Sequence, residues 1–236
     1  NPAIDALRVA EINYNPGAPT VTEQKSGYAS DDFEFIELVN RGAVETSLNG
    51  VQLTQVNLDG VEQGLDFDFS NSAVTHLAPG ERVVVVEDLA AFQLRYGTVT
   101  GVAGQWSGGL NNNSETVTLT VSGTVIQQFV YQDDWYPSSD GTGGSLVIVD
   151  TEADLAMWSQ REGWSLSTQV GGTPGRVGIL GDFDGDDAIS VLDVDALHAE
   201  IVNGSHSPLL DLTSDGLVDH ADLDTFVTSV AQTQFG

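Results

Sequence analysis

The 236-residue sequence predicts a mainly β protein, an antiparallel β-sandwich over residues 1–177 followed by a small α-helical unit over residues 178–236. Three observations predict it. Short apolar and β-branched runs punctuated by Gly, Asn and Pro fill the first part. Apolar residues at helical spacing dominate only the last sixty residues. Each of those helical stretches follows an acidic loop, and the two loops are built on one pattern. A chain of this length has room for one sizeable core and one small one.

The elements follow in order. Leu7-Arg-Val9-Ala-Glu-Ile12-Asn-Tyr14 alternates and stops at Asn15-Pro16-Gly17. Phe33 to Val39, Val51 to Leu53 and Leu65 to Phe69 are the next strands, and Arg82 to Glu87 reads as a fully buried one. Asp88 caps a helix from Leu89 to Tyr96 that ends at Gly97. Thr116–Val121 and Thr124–Tyr131 flank Ser122-Gly123 as a hairpin, and Ser145 to Val149 completes about eight strands. Residues 165–178, with Gly171-Gly172-Thr173-Pro174-Gly175, read as a boundary and short linker. Ile4 to Ile12 has strand character at the terminus, which suggests that it adds to a neighbouring copy's sheet edge.

Several polar and aromatic residues carry two readings. Glu34, Glu37 and Asn40 are taken as outward-facing strand residues, with Asn40 starting a turn, in preference to ligands. Trp106, Trp158 and Trp164 are taken as core or edge packing in preference to sugar platforms. Gln132 to Gly141, with Trp135 and Tyr136, reads as an ordered loop packed on the sandwich, the alternative being a carbohydrate or cation site.

The two loops carry the chemistry. Asp182, Asp184, Asp186, Ala188, Ser190 and Asp193 occupy positions 1, 3, 5, 7, 9 and 12 of the first. Asp211, Thr213, Asp215, Leu217, Asp219 and Asp222 repeat the pattern. This is the ligand spacing of an EF-hand calcium loop, in which side-chain oxygens and the carbonyl at position 7 (Ala188, Leu217) surround a hard cation that takes six to eight oxygens. Ile189 and Val218 at position 8 suit a short strand pairing between the loops, and Leu197, Ile201, Leu223 and Phe226 suit one shared core. Gly and Pro before each loop leave no entering helix. Asp187 replaces the usual glycine at position 6 of the first loop, which predicts weaker binding there.

Gly181-Asp-Phe-Asp-Gly-Asp186, the twin loop from Asp211 and the missing entering helices resemble a type I dockerin over residues 181–231. That resemblance implies a module holding two Ca2+ ions and docking on a protein partner, a cohesin-like domain or a neighbouring copy. Val191-Leu192 and His220-Ala221 stand where dockerins often present a Ser-Thr pair, so an ordinary cohesin is not the expected partner. The first part resembles a lamin-tail domain, an immunoglobulin-like module. The residues that carry this resemblance are Glu11-Ile-Asn-Tyr-Asn-Pro16, Phe35-Ile-Glu-Leu-Val-Asn40, Leu77-Ala-Pro-Gly-Glu-Arg-Val83, Leu110-Asn-Asn with Glu115-Thr-Val-Thr-Leu119, Trp135-Tyr-Pro137 with Asp140-Gly141, and Gly172-Thr-Pro-Gly175. It implies a binding or spacing module without a catalytic set.

Charge narrows the partners. The formal charge is −28, and all 7 Lys and Arg precede residue 177, while the segment from Gly181 onward contributes only acids. Such a surface repels nucleic acid and anionic membranes. There is no cysteine, so neither disulfides nor a thiol nucleophile enters. No apolar run approaches membrane-spanning length, and Asn1-Pro-Ala suits a terminus left by cleavage of a leader. The four histidines lack metal spacing, and Ser107 lacks the glycines of a nucleophile elbow. The expectation is a non-enzymatic, secreted or cell-surface calcium-binding subunit of a scaffold or fibre. The alternative is a carbohydrate-binding module recruited by its dockerin.

Overall fold

A computed structural model describes residues 3–179, 181–183, 188–204, 210–213 and 217–235, the last seven of these by backbone alone. In chain order, helix α1 (Ala3–Ala6) leads into β1 (Leu7–Asn13), then α2 (Val21–Lys25) and β2 (Phe35–Asn40). Short strands follow: β3 (Thr46–Ser47), β4 (Val51–Leu53), β5 (Val56–Leu58), β6 (Val61–Gln63), β7 (Leu65–Asp68) and β8 (His76–Leu77). Then come β9 (Arg82–Val86), α3 (Leu89–Tyr96), β10 (Val102–Gln105), β11 (Ser107–Gly108), β12 (Ser114–Val121) and β13 (Thr124–Gln132). The chain continues through β14 (Leu146–Ile148) and β15 (Trp164–Leu166) to α4 (Val191–Asn203) and α5 (His220–Phe235).

Two sheets form the mainly β, immunoglobulin-like body. One has the order β10-β9-β2-β1-β14-β15 and the other β11-β7-β4-β12-β13. Val9, Ile36, Val83 and Val85 from the first sheet meet Leu53, Val117, Leu119 and Phe129 from the second in one core. Trp158 and Trp164 fill one side of that core, and their indole N–H groups donate to Val9 O and Trp158 O, each at 2.9 Å. That hydrogen bonding is what lets two large amphipathic rings be buried. Trp106 is buried as well, and Trp135 and Tyr136 pack against the same core, as expected. The β12–β13 hairpin also forms as expected, with Ser122 at φ 50° and Gly123 at φ 78°, the pair of positive angles that matches strand twist.

The helix Leu89–Tyr96 starts at Asp88, whose Oδ1 accepts the amides of Ala90 and Ala91 at 2.8 Å. It links β9 to β10, and those two strands are parallel, so the sandwich is not purely antiparallel. A helix between two neighbouring strands returns the chain to the end it left, which makes the second strand parallel.

That crossover has a consequence for the outer face of the six-stranded sheet. Phe35, Val84 and Val86 point away from the main core and pack under Phe92 and Tyr96 of α3 in a second apolar cluster. β1 and β2 are therefore buried on both faces at every position, where clean alternation of buried and exposed residues was expected of β1. Glu34, Glu37 and Asn40, expected to face solvent, are 2%, 0% and 0% exposed. The parity was right for Glu37, but its face is roofed. Asn40 does begin a turn, its Oδ1 accepting from Gly42 N at 2.9 Å. Residues 165–178 complete the roof instead of forming a free linker. Trp164–Leu166 is a sheet strand, and Ser167 and Thr173 are buried. β1 lies between β2 and β14, so Ile4 to Ile12 cannot lend an edge to a neighbour.

Two predictions follow from caps and burial. Asp88→Ala removes both N-terminal acceptors of α3 and should cost about 1 kcal/mol. That corresponds to roughly 2–4 °C in the sandwich's melting midpoint by circular dichroism. Burial lifts the Glu34 carboxyl from its ordinary 4.5 to about 9, the Leu110 amide at 3.3 Å opposing this only in part. The folded state then holds a proton that the unfolded chain has released. The resulting stabilisation is complete below about pH 4.5 and is lost as pH rises towards about 9. Glu34→Gln should flatten the decline of the midpoint across that window and melt higher than the parent near its upper end, as thermal scans at stepped pH would record.

Candidate functional site

The two acidic loops end on one repeated local structure. Ser190 caps α4, its Oγ accepting from Leu192 N at 3.0 Å, while Asp193 Oδ2 accepts from Ser190 N at 2.7 Å. Asp219 does the same for α5, its Oδ1 accepting from Ala221 N at 2.7 Å, while Asp222 Oδ2 accepts from Asp219 N at 2.8 Å. The second oxygen of each position-12 acid reaches back to the loop's start. Asp193 Oδ1 takes Phe183 N at 2.7 Å and Asp222 Oδ1 takes Thr213 N at 3.0 Å. These reciprocal bonds satisfy donors that a helix start leaves without intrahelical partners, and they fold each loop onto its own helix.

Both position-12 acids are fully buried, as is Asp182 at position 1. Burial alone would raise the Asp222 carboxyl, but the Asp219 and Thr213 amides pull it below its ordinary value. It stays ionised, at the positive end of α5. Ser190 and Asp219 at position 9 and Asp211 are half-buried, Thr213 is exposed with its hydroxyl 3.4 Å from Asp211 Oδ1, and Ala188 and Leu217 at position 7 are exposed. Asp184, Asp186 and Asp215, at positions 3 and 5, lie outside the described residues. Among the described residues no three His, Asp or Glu side chains converge as a metal-holding group.

The expected shared core is present. Leu197, Val218 and Phe226 are buried together, with Phe183, Ile189, Val194, Leu212 and Leu223 against them. Phe183 and Phe226 stack with centroids 5.4 Å apart. Gly181, at φ +95°, has no space for a side chain because a Cβ there would enter the Phe226 ring. Ile189 and Val218 reach this core as side chains, but among the described residues no strand ladder joins them.

A second polar centre, missed in the sequence, sits under the roof of the sandwich. Glu11 and Glu37 are direct cross-strand partners on β1 and β2. Glu11 Oε1 accepts from Ser145 Oγ at 2.6 Å and Thr173 N at 2.7 Å, and its Oε2 accepts from Thr173 Oγ1 at 2.8 Å. Glu37 takes Gly175 N at 2.5 Å on Oε2 and is ion-paired to Arg82 through Oε1. Burial raises both carboxyls above their ordinary range, and for Glu37 the neighbouring Glu11 adds to the rise. Every oxygen of the pair has a donor, so the pair ties the 172–176 segment to the sheet. The available signal was a glutamate inside each of two apolar strands, Glu11 and Glu37.

The family model described as Lamin Tail Domain matches residues 1–133. No curated protein matches the chain. The match covers more than half of the sequence, includes β1 through β13, and agrees with the two-sheet body found above. The chain belongs to the lamin tail domain family.

Proposed function

We propose that this protein is a non-enzymatic assembly subunit of an extracellular or cell-surface scaffold, whose sandwich is a spacer and whose C-terminal helices form a calcium-set, dockerin-like dock for a neighbouring copy or a cohesin-like domain. The single observation that carries the reading is the matched pair of buried position-12 carboxylates, Asp193 and Asp222, each folded onto the start of its own loop above one shared core.

The donor set suits a hard cation. Loop one would offer Asp182, Asp184, Asp186, the Ala188 carbonyl, Ser190 and Asp193, and loop two Asp211, Thr213, Asp215, the Leu217 carbonyl, Asp219 and Asp222. All are oxygen donors, as Ca2+ requires, with no sulfur or imidazole among them. From Gly181 onward the sequence holds no Lys or Arg, so buried carboxylates gathered there gain a counter-charge from a bound cation. Bound Ca2+ would supply that charge and staple two loops onto a core too small to stand alone.

The carbohydrate alternative has no observation in its favour. The Tyr136 ring lies under the Arg161 guanidinium, 4.7 Å from its centroid, and its hydroxyl donates to Trp164 O at 2.7 Å. A cysteine-free chain is compatible with an extracellular setting, where bound calcium supplies the stapling that disulfides give other proteins.

The test is thermal unfolding of the whole chain in 1 mM CaCl2 and in EGTA. With sites near 1 µM affinity, each ion adds roughly 4 kcal/mol to the folded helical unit. A low-temperature helical transition in EGTA should therefore move up by more than about 10 °C with calcium, and Asp193→Asn combined with Asp222→Asn should abolish the shift. Superimposable melts in the two buffers would overturn the reading.

A further inference from the structure

Asp182, the first acid of loop one, is fully buried, and part of what surrounds it comes from the sandwich. Gln169 Nε2 donates to Asp182 Oδ2 at 3.1 Å, and Arg176 Nη1 lies 4.0 Å from the same oxygen. Arg176 also donates through Nη2 to Gln169 Oε1, so the two residues form one bracket around the carboxylate. The bracket stands on a fixed base. Thr173 N and Gly175 N are held by Glu11 and Glu37, and Arg176 N closes onto Thr173 O at 3.2 Å. Gly172, at φ +89°, packs so closely on Glu11, Phe35 and Ser145 that no side chain fits there. Arg176 is also the last Lys or Arg in the sequence.

We propose that the sandwich governs the first loop: Gln169 and Arg176 hold the Asp182 carboxylate, and a divalent cation entering that loop must take the carboxylate from the guanidinium. The proposal rests on reading the loops as cation sites and adds an affinity-setting residue outside either loop. A guanidinium 4.0 Å from a carboxylate oxygen competes with any cation that takes the same carboxylate and repels it as a like charge, so Arg176 weakens cation binding at loop one. Thermodynamic linkage runs both ways, so an ion in loop one loosens the bracket to the same degree that the bracket weakens the ion. The first loop thereby reports on the seam between sandwich and helices, while the second serves the helical core.

The test is calorimetric titration with CaCl2 of the full chain carrying Asp211→Ala, which removes the first acid of loop two, with Arg176 intact, Arg176→Gln or Arg176→Lys. Arg176→Gln should bind about five- to tenfold tighter than the intact bracket, whereas Arg176→Lys, which keeps the charge, should bind within about twofold of it. Hydrogen exchange supplies a second readout. Calcium should speed exchange of the amides of residues 176–178, beyond those that Glu11 and Glu37 hold, in the parent and leave those of Arg176→Gln, already fast, unchanged. Equal affinities in all three chains, or exchange in that segment indifferent to calcium, would overturn the bracket while leaving the loops as cation sites. No heat of binding even in the parent with both loops intact would overturn the bracket and the calcium reading together.

Discussion

The structure depends on two buried carboxylates meeting the backbone of a distant segment. Glu11 and Glu37 stand side by side on adjacent central strands, an arrangement that would repel if both were charged and bare. Burial raises both carboxyls above their ordinary range, and Arg82, Ser145, Thr173 and Gly175 together donate to all four oxygens. The roof over the six-stranded sheet is thereby fixed by polar contacts as well as by α3's aromatic rings. A buried acid that loses its partner is costly, so the position of the 172–176 segment is strongly specified.

From that tie the architecture reads outward in two directions. Inward lies the apolar core between the sheets, sealed by Trp158 and Trp164. Outward lies the bracket of Gln169 and Arg176, carried by the tied segment to the first acidic loop. Fold and candidate site are thus mechanically adjacent, and the segment between them is a fitted part of the sandwich.

Much of this was legible in the sequence where side-chain pattern alone decides the outcome. The cap at Asp88, the turn at Ser122-Gly123 and the helices after the two loops all rest on local chemistry, and each formed where its residues placed it. What escaped notice depends on residues far apart in the chain. Glu37 was read as solvated because strand parity says which face a residue occupies and not what covers that face. Residues 165–178 resemble a linker in composition, yet their amides are the donors that Glu11 and Glu37 require. Strands such as β5, β6 and β11 are two or three residues long, too brief for any period to show. In the acidic loops, spacing revealed the oxygens, but Arg176, six residues ahead of Asp182, gave no such sign.

The placement of β1 bears on where this domain ends. Its partner β14 begins at Leu146, Trp158 caps the core above Val9, and Glu11 is bonded to Ser145 and Thr173. These partners all lie past residue 133, where the family-model match stops. A polypeptide stopped at that border would carry a central strand with one flank open, a void where an indole belongs, and an acid stripped of its donors. Residues beyond 133 therefore complete the same sheet and core, and a polypeptide cut there would leave the edge of β1 unpaired, a template for aggregation.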